Sequence, residues 1–191
     1  MATQAFIQTF GEALPGTAVA ASALGLHDSV LRFSPGPQGV FRNGLLSICS
    51  TRENGGDLGA WGPYLPPGTR LFASSAFGFL FALAGEALWV IDPHYGQVVE
   101  SDVSLSNLWS VLSESALRRD HLREPLFAQW QALNPQPLTT DWLCPTPAIA
   151  LAGHWTVSTL KPMPPALLLS FTAQLFDASG SSAVEVRLLG P

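Results

Sequence analysis

Histidine, cysteine and carboxylate side chains could do chemistry in this chain, but the sequence scatters them. The four histidines stand apart from one another: His27, His94, His121 and His154. A zinc site needs such ligands at close spacing, and the nearest approach is the pair Asp92 and His94 in "DPHYG". Asp, Pro and Gly in that order are typical of a hairpin turn. The pattern therefore favours turn chemistry over a metal site, and we expect no metal and no cofactor.

Nucleophilic catalysis would require a serine or cysteine next to a base. The sequence contains no Gly-x-Ser-x-Gly turn, and its two cysteines, Cys49 and Cys144, lie among apolar or small residues. We interpret both as buried, reduced thiols of a cytosolic protein, and a disulfide between them is the alternative. The glycine-rich stretch "RENGGDLG" matches neither phosphate-binding motif. We therefore expect that the protein is not an enzyme.

Charged and aromatic residues offer a second kind of chemistry, which is recognition. The cluster "RRDHLRE" at 118–124 is interpreted as a solvated link between two helices, with a partner-facing patch as the alternative. Glu100 and Asp102 lie two residues apart, on one face of a predicted strand, as at a wet strand end. Trp61 lies in a Gly- and Pro-rich loop and is the tryptophan most open to exposure. Burial under that loop is nevertheless the stronger interpretation.

The composition restricts the partners. Charged residues make up 12% of the 191 residues and hydrophobic residues 47%, so the charged fraction is half of the ~25% that is usual. A net charge of −5 gives no basic stripe for nucleic acid. No segment approaches the ~18 apolar residues of a membrane span, and the N-terminus lacks the pattern of a secretion signal. We expect a cytoplasmic protein without direct nucleic-acid or membrane contact, and the oligomeric state stays open.

Four short apolar runs between residues 70 and 102 form the scaffold that must position these groups. The runs are 70–74, 78–83, 87–92 and 97–101. Their links are too short for anything other than hairpins, so the sheet is predicted to be an antiparallel meander. The second and third runs are apolar on both faces, which requires cover on both sides. The predicted class is α+β, a β-meander covered by helices in a single domain.

Helices are predicted from apolar spacing at 3–14, 104–120, 123–135 and 164–176. Ile7 and Leu133 are expected to face inward, Ser104 to cap the second helix, and Pro125 to lie in the first turn of the third.

The remaining segments are less regular. Residues 19–33 could form another helix, and 138–163 are predicted to be irregular. Residues 40–50 could form a hairpin around Asn43–Gly44 or one irregular strand.

Five segments, taken in order, carry a family resemblance: "FIQTFGEAL", "VFRNGLLSI", "RLFASSAFGFLFALAGEALWVIDPHYGQVV", "LREPLFAQWQALNPQPLTTDWLCPTPAIALAGHWTVSTLKPM" and "PPALLLSFTAQL". They resemble bacterial immunity proteins of the GAD-like class, whose C-terminal part is the Tdi-type immunity domain of type VI secretion. The resemblance covers residues 4–177, and the run "PAIALAG" at 147–153 lies in its most specific segment. Arg123–Glu124 stand where the family often has Gly-Lys.

The resemblance implies a domain at 1–178, GAD-like over 1–50 and Tdi-like over 68–178, with a tail at 179–191 that could form an edge strand. It also implies a cytoplasmic protein that binds a cognate toxin effector, for which nucleases are one known class, and blocks its active site or its folding. No catalysis and no cofactor are then needed. If this is so, loops and strand ends should supply the contacts: Asp57, Trp61, His94, Tyr95, Glu100 and Asp102.

Two alternatives from other classes stay open. A small-molecule binder or enzyme would use an apolar pocket beside the meander, with converging polar groups such as His94, His154 or Asp141. A regulatory protein with a SUKH-like surface is the other alternative.

Overall fold

An antiparallel sheet runs through the centre of the computed structural model, which describes residues 2–17, 38–48, 58–104 and 107–178. Within these residues the sheet has six strands, each paired with the next along the chain. They are β1 (Gly39–Phe41), β2 (Leu46–Ile48), β3 (Arg70–Ser75), β4 (Leu80–Ala84), β5 (Ala87–Asp92) and β6 (Gln97–Ser101). The predicted meander is confirmed as β3 to β6, and the fold is a single α+β domain.

The Asn43–Gly44 segment forms a hairpin between β1 and β2, so the first of its two interpretations is right. The Asn43 carbonyl accepts a hydrogen bond from the Leu138 backbone N–H at 2.8 Å. Gly44 has φ +109°, and a Cβ there would lie 2.1 Å from the Leu138 carbonyl oxygen. Only glycine therefore permits this close approach between the hairpin and the chain that follows the fourth helix.

Both faces of the central strands are buried, as their continuous apolar sequences predict. Phe81 on β4 and Val90 on β5 belong to one hydrophobic cluster, which the first four helices cover. Leu80 and Ile91 are directly paired across the same two strands and belong to a second cluster on the opposite face. The first four helices are α1 (Ala2–Phe10), α2 (Leu108–Ser113), α3 (Ser115–Asp120) and α4 (Glu124–Leu133).

The opposite face is covered by the C-terminal helix α5 (Pro165–Ala178) together with a short 3-10 helix, Gly59–Tyr64. Among the described residues, no helix has both the length and the apolar character to cross a membrane.

The prediction of one helix over 104–120 is wrong, because the chain breaks it into α2 and α3. Glu114 between them is extended, with φ −67° and ψ 136°. The Ser113 hydroxyl donates to the Trp109 carbonyl at 2.7 Å, as a serine near a helix end commonly does. The N-cap of α2 is Asn107 instead of Ser104. The break redirects the chain so that Leu122 reaches the core, where it is fully buried.

Two apolar residues predicted to face inward are exposed. Ile7 on α1 is 44% exposed and Leu133 on α4 is 73% exposed. Each lies at the edge of its helical stripe, and aromatic neighbours such as Phe6 and Trp130 already fill the adjoining core. Pro125 does lie in the first turn of α4, as predicted.

The segment 138–163, predicted to be irregular, contains a second antiparallel sheet. Its strands are β7 (Trp142–Pro145) and β8 (Leu160–Met163). Pro145 and Pro162 hide this pairing from the sequence, because proline lacks the N–H that a central strand needs. A two-stranded sheet tolerates them, since each strand is an edge. Outside the described residues lie the helix predicted over 19–33, Cys49, Asp57 and the tail at 179–191.

Candidate functional site

The hairpin turn between β5 and β6 packs its backbone against α5. The His94 N–H donates to the Asp92 carboxylate at 3.0 Å, and Gly96 has φ +65°. A Cβ at position 96 would lie 2.4 Å from the ring of Phe176. The turn chemistry read from "DPHYG" is therefore correct, and glycine is needed here both for its φ and for the close approach to α5.

His94 supports this turn from inside, where it is 6% exposed. Its Nε2 lies 2.8 Å from the Phe77 carbonyl oxygen, and because a carbonyl only accepts, Nε2 must carry the proton. Nδ1 is buried and has no hydrogen-bond partner among the described residues. Burial lowers the pKa of His94 to about 4, so the ring is neutral at pH 7. His94 is therefore not the exposed contact that the sequence suggested.

Asp92, next to it, is perturbed in the opposite direction. Burial raises the pKa of its carboxyl to about 6, although Arg123 and the backbone N–H groups of His94 and Tyr95 act to lower it. Burial penalises the charged form of either group, so it raises the pKa of an acid and lowers that of a base. In water the pKa of an aspartate lies below that of a histidine, whereas in this turn the pKa of Asp92 lies above that of His94.

Trp155 contacts both Tyr95, which belongs to this turn, and Arg123. We call Tyr95, Trp155 and Arg123 the aromatic cluster. The Trp155 indole N–H donates to the Tyr95 hydroxyl at 3.0 Å. The Arg123 guanidinium carbon lies 4.1 Å from the Trp155 ring centroid, a cation–π arrangement. The Trp155 ring also packs edge-on against His94, with centroids 4.8 Å apart. Tyr95 is 49% exposed, whereas Trp155 and Arg123 are half-buried.

Sequence analysis suggested Tyr95 but missed its two companions. Trp155 lies 60 residues away, in the connection that leads to β8. Arg123 belongs to the charge cluster that was interpreted as a solvated link. The one signal that could have found it is the partner-facing alternative for that cluster.

Arg123 adopts an unusual backbone conformation. It is the N-cap residue of α4 with φ 51° and ψ 38°, in the left-handed region, and its side chain makes no capping hydrogen bond. The side chain instead extends over Trp155. Left-handed conformations are unfavourable for residues other than glycine, asparagine and aspartate.

A group of three charged side chains adjoins the aromatic cluster. We call Arg42, Arg118 and Glu124 the Glu124 cluster. Arg118 Nη1 lies 3.1 Å from Glu124 Oε2, and Arg42 pairs with the other carboxylate oxygen. The charged segment is therefore more than a solvated link, because Glu124 ties the β1–β2 hairpin to α3 and α4. Arg119 pairs separately with Asp120 on the exposed side of α3, at 2.8 Å.

Trp61 is completely buried, as the stronger interpretation had it, so it cannot act as an exposed contact. Its indole N–H donates to the Thr172 hydroxyl at 3.1 Å, and its ring lies 5.5 Å from that of Phe176. Trp61 therefore fixes α5 to the sheet.

The predicted acidic contacts lie elsewhere. Glu100 and Asp102 are exposed at the far end of β6, which places Glu100 about 10 Å along the strand from Gln97, where the turn ends, at ~3.3 Å per residue. The structure brings His94 and Tyr95 together but separates both from these carboxylates, and Asp57 lies outside the described residues.

An open pocket of about 340 Å³ lies between the turn, residues Ala148–Ala150 and α5. His94 contributes to its lining, as the small-molecule alternative predicts, and so does Tyr95, but His154 and Asp141 do not. The lining hydroxyl of Thr172 already donates to the Leu168 carbonyl at 2.8 Å and accepts from Trp61. The lining is therefore mostly apolar, with few polar groups available to a ligand.

Other potential reactive groups are isolated. Cys144 is a buried free thiol, and burial raises its pKa. Within the described part of the chain, no three His, Cys, Asp or Glu side chains converge as metal ligands would.

Comparison with known proteins supports the fold and goes no further. No protein-family model and no curated protein matches the chain. Among solved structures, the chain is similar to the crystal structure of Atu4351 from Agrobacterium tumefaciens, with a TM-score of 0.66 and 15% sequence identity. The match covers 90% of this chain and 88% of that one. At this identity the likeness shows a shared fold alone.

Proposed function

We propose that the protein is an immunity protein that binds a cognate toxin effector in the cytoplasm and neutralises it by direct contact. The observation that carries this proposal is the aromatic cluster. Tyrosine, tryptophan and arginine are the residues most enriched at the energetic centres of protein interfaces. Here one of each is joined to the next by a hydrogen bond and a cation–π contact.

The rigidity of this cluster favours tight binding. Immobilising a flexible side chain at an interface costs about 0.5–1.5 kcal/mol, and a surface already held in place avoids most of that loss. Trp155 is held from behind by His94 and by Phe77, whose ring centroid lies 5.6 Å away. The contact of Gly96 with α5 fixes the hairpin turn that carries Tyr95.

The family resemblance supports the same function. Its segments overlap regular structural elements: the opening helix overlaps α1, the central run β3 to β6, the Pro-Leu-Phe helix α4 and the closing helix α5. The most specific run, Pro147–Gly153, lines the pocket and directly precedes the connection that carries Trp155. A binding function of this kind asks for a rigid scaffold and a shaped surface, and needs no catalytic group.

The test is calorimetric titration of the protein with the toxin-like product of the neighbouring reading frame. Tyr95→Ala should weaken binding at least tenfold, because truncation of an interface centre costs about 2 kcal/mol or more. Leu133→Ala is the control, since it removes a large side chain that is even more exposed than Tyr95, at the far end of α4. The proposal fails if the wild-type protein binds no such product, or if the Tyr95 variant binds as tightly as the control.

The pocket beside the turn favours a second candidate function, the binding of a small molecule. Its volume of about 340 Å³ is within the range of ligand pockets, ~300–1,000 Å³. Mass spectrometry of the protein purified under native conditions would detect a retained ligand. Ala150→Phe should fill the pocket mouth and abolish retention if this function is correct. A ligand-free wild-type protein that still binds the toxin would exclude it.

A further inference from the structure

Positive charge concentrates at one place on this acidic chain. The net charge is −5 and the chain has nine lysines and arginines. Four of the arginines lie in the β1–β2 hairpin and around α3 and the start of α4: Arg42, Arg118, Arg119 and Arg123. Two carboxylates, Asp120 and Glu124, are paired with them. Within the Glu124 cluster two arginines face one carboxylate, so the charge there is positive although the whole protein is negative.

Glu124 does not use up the hydrogen-bonding capacity of its two arginines. A guanidinium offers five N–H donors in a fork that matches a carboxylate. Glu124 is one carboxylate shared by Arg42 and Arg118, so one positive charge of the cluster is uncompensated. Arg118 Nε is buried and has no partner among the described residues. The side chains of Arg42 and Glu124 remain 39% and 26% exposed, so both can be reached from outside.

We infer that the Glu124 cluster binds an acidic segment of a protein partner, and that Glu124 occupies the place of the partner's carboxylate in the free protein. Binding then exchanges one carboxylate for another on Arg42 and Arg118. Glu124 follows Arg123 directly in the chain, and Arg123 stacks on Trp155. The arginines therefore continue the surface of the aromatic cluster, and the inference rests on the proposed function only in taking the partner to be a protein.

A protein carboxylate fits this surface better than nucleic acid does. Binding to a phosphate backbone depends on many cations that follow the strand, and its affinity grows with the number of phosphates neutralised. Here the arginines converge around a single carboxylate instead of following one line along a strand. A short acidic segment needs only two or three such contacts, each of which can be bidentate.

The probe is a fluorescein-labelled decapeptide that alternates glutamate and serine, titrated with the intact protein and followed by fluorescence anisotropy at low ionic strength. The same peptide with lysine in place of glutamate tests the sign of the charge, and a labelled ten-nucleotide single-stranded DNA tests the alternative polyanion. We expect the glutamate peptide to bind most tightly and its affinity to fall with added salt.

Glu124→Gln makes the test directional. Because it removes the internal competitor and keeps the shape of the side chain, it should tighten binding of the glutamate peptide about threefold or more. A merely structural role of Glu124 would give weaker or unchanged binding. Glu124→Asp, whose carboxylate is one methylene shorter, should change affinity in the same direction and serves if the glutamine variant does not fold.

Arg42→Gln should weaken binding of the glutamate peptide about threefold or more. Arg70→Gln is its matched control, because Arg70 is an exposed arginine at the start of β3 and its loss changes the net charge equally. Equal losses in the two variants would reduce the effect to overall charge and overturn the inference. Tighter binding of the DNA than of the glutamate peptide would also overturn it.

The outcomes separate this inference from the proposed function. If the toxin binds but its affinity does not respond to Arg42→Gln or Glu124→Gln, and the glutamate peptide does not bind, the inference fails and the immunity function stands. If the glutamate peptide binds with the expected variant pattern but no adjacent toxin does, the acidic-segment site stands and the immunity function fails.

Discussion

Asp92→Asn and His94→Gln should expose two opposed pH dependences of stability that nearly cancel in the wild-type protein. Burial raises the pKa of Asp92 from 3.8 to about 6 and lowers that of His94 from 6.5 to about 4. A raised acid stabilises the folded state below its unfolded pKa, and this contribution is lost as the pH rises through 6. A lowered base stabilises above its unfolded pKa, and this contribution is lost as the pH falls through 4.

The two contributions are similar in size. One pH unit of pKa difference is worth about 1.4 kcal/mol, so each group changes the free energy of unfolding by up to about 3 kcal/mol. Between pH 4 and 6 the Asp92 contribution falls while the His94 contribution grows. The part of the wild-type profile that comes from this turn should therefore be nearly flat over that range.

Urea denaturation followed by tryptophan fluorescence at pH 4.5, 5.5, 6.5 and 7.5 gives the free energy of unfolding of each protein. Relative to wild type, Asp92→Asn should gain about 2 kcal/mol between pH 4.5 and pH 7.5, since the rest of its contribution changes below pH 4.5. His94→Gln should lose a similar amount over the same range. Any loss of a hydrogen bond shifts a whole curve and leaves its slope unchanged, so only the slopes decide.

Asp102→Asn is the matched control, because Asp102 is an exposed carboxylate close to the end of the same hairpin. It reports how a change of net charge alone affects the profile. Parallel pH profiles for wild type, Asp92→Asn and His94→Gln would refute the reasoning, as would slopes of the same sign in both variants.

Three further predictions concern the scaffold. Trp61→Ala should lower the free energy of unfolding by about 3–5 kcal/mol, because the side chain is fully buried, and denaturant titration would measure it; a loss below 1 kcal/mol would contradict this. Gly96→Ala should lower the melting temperature of the domain by several degrees, because its Cβ would lie 2.4 Å from the ring of Phe176. Gly85→Ala is the control and should lower it less, because Gly85 also has a positive φ but no neighbour lies within 4 Å of its Cβ position. Cys144 should react with a thiol reagent only on the timescale of unfolding, because it is 1% exposed, and fast labelling of a Cys49→Ala variant under native conditions would count against its burial.

The meander of β3 to β6 could be predicted because its information is local, whereas its pairing with β2 could not. Links of a few residues permit only hairpins, and strands such as β4 are apolar at consecutive positions, so neither inference needed a distant contact. The pairing of β7 with β8 could not be predicted in this way, because Pro145 and Pro162 carry the opposite local signal. The break at Glu114 was missed for a related reason, since a continuous helical spacing does not reveal where packing redirects a chain.

The candidate site shows the same difference between residues placed by local sequence and residues placed by distant contacts. The position of Tyr95 in a hairpin turn could be predicted, because the Asp, Pro and Gly residues around it are typical of such a turn. Trp155 and Arg123 reach that turn from distant parts of the chain, so only tertiary structure brings them together. His94 was placed in the right turn, but its side chain points inward to the Phe77 carbonyl, a direction that a turn motif does not specify.

The left-handed backbone of Arg123 has a consequence for how this protein could change over generations. Glycine would relieve that conformation by roughly 1 kcal/mol. Arg123→Gly should therefore leave the domain as stable or more so while removing the guanidinium from Trp155. Selection for abundance or heat resistance alone would accept this exchange, whereas selection for the surface that Arg123 forms with Trp155 would reject it. Position 123 is thus a place where the two selective demands can be observed in direct opposition.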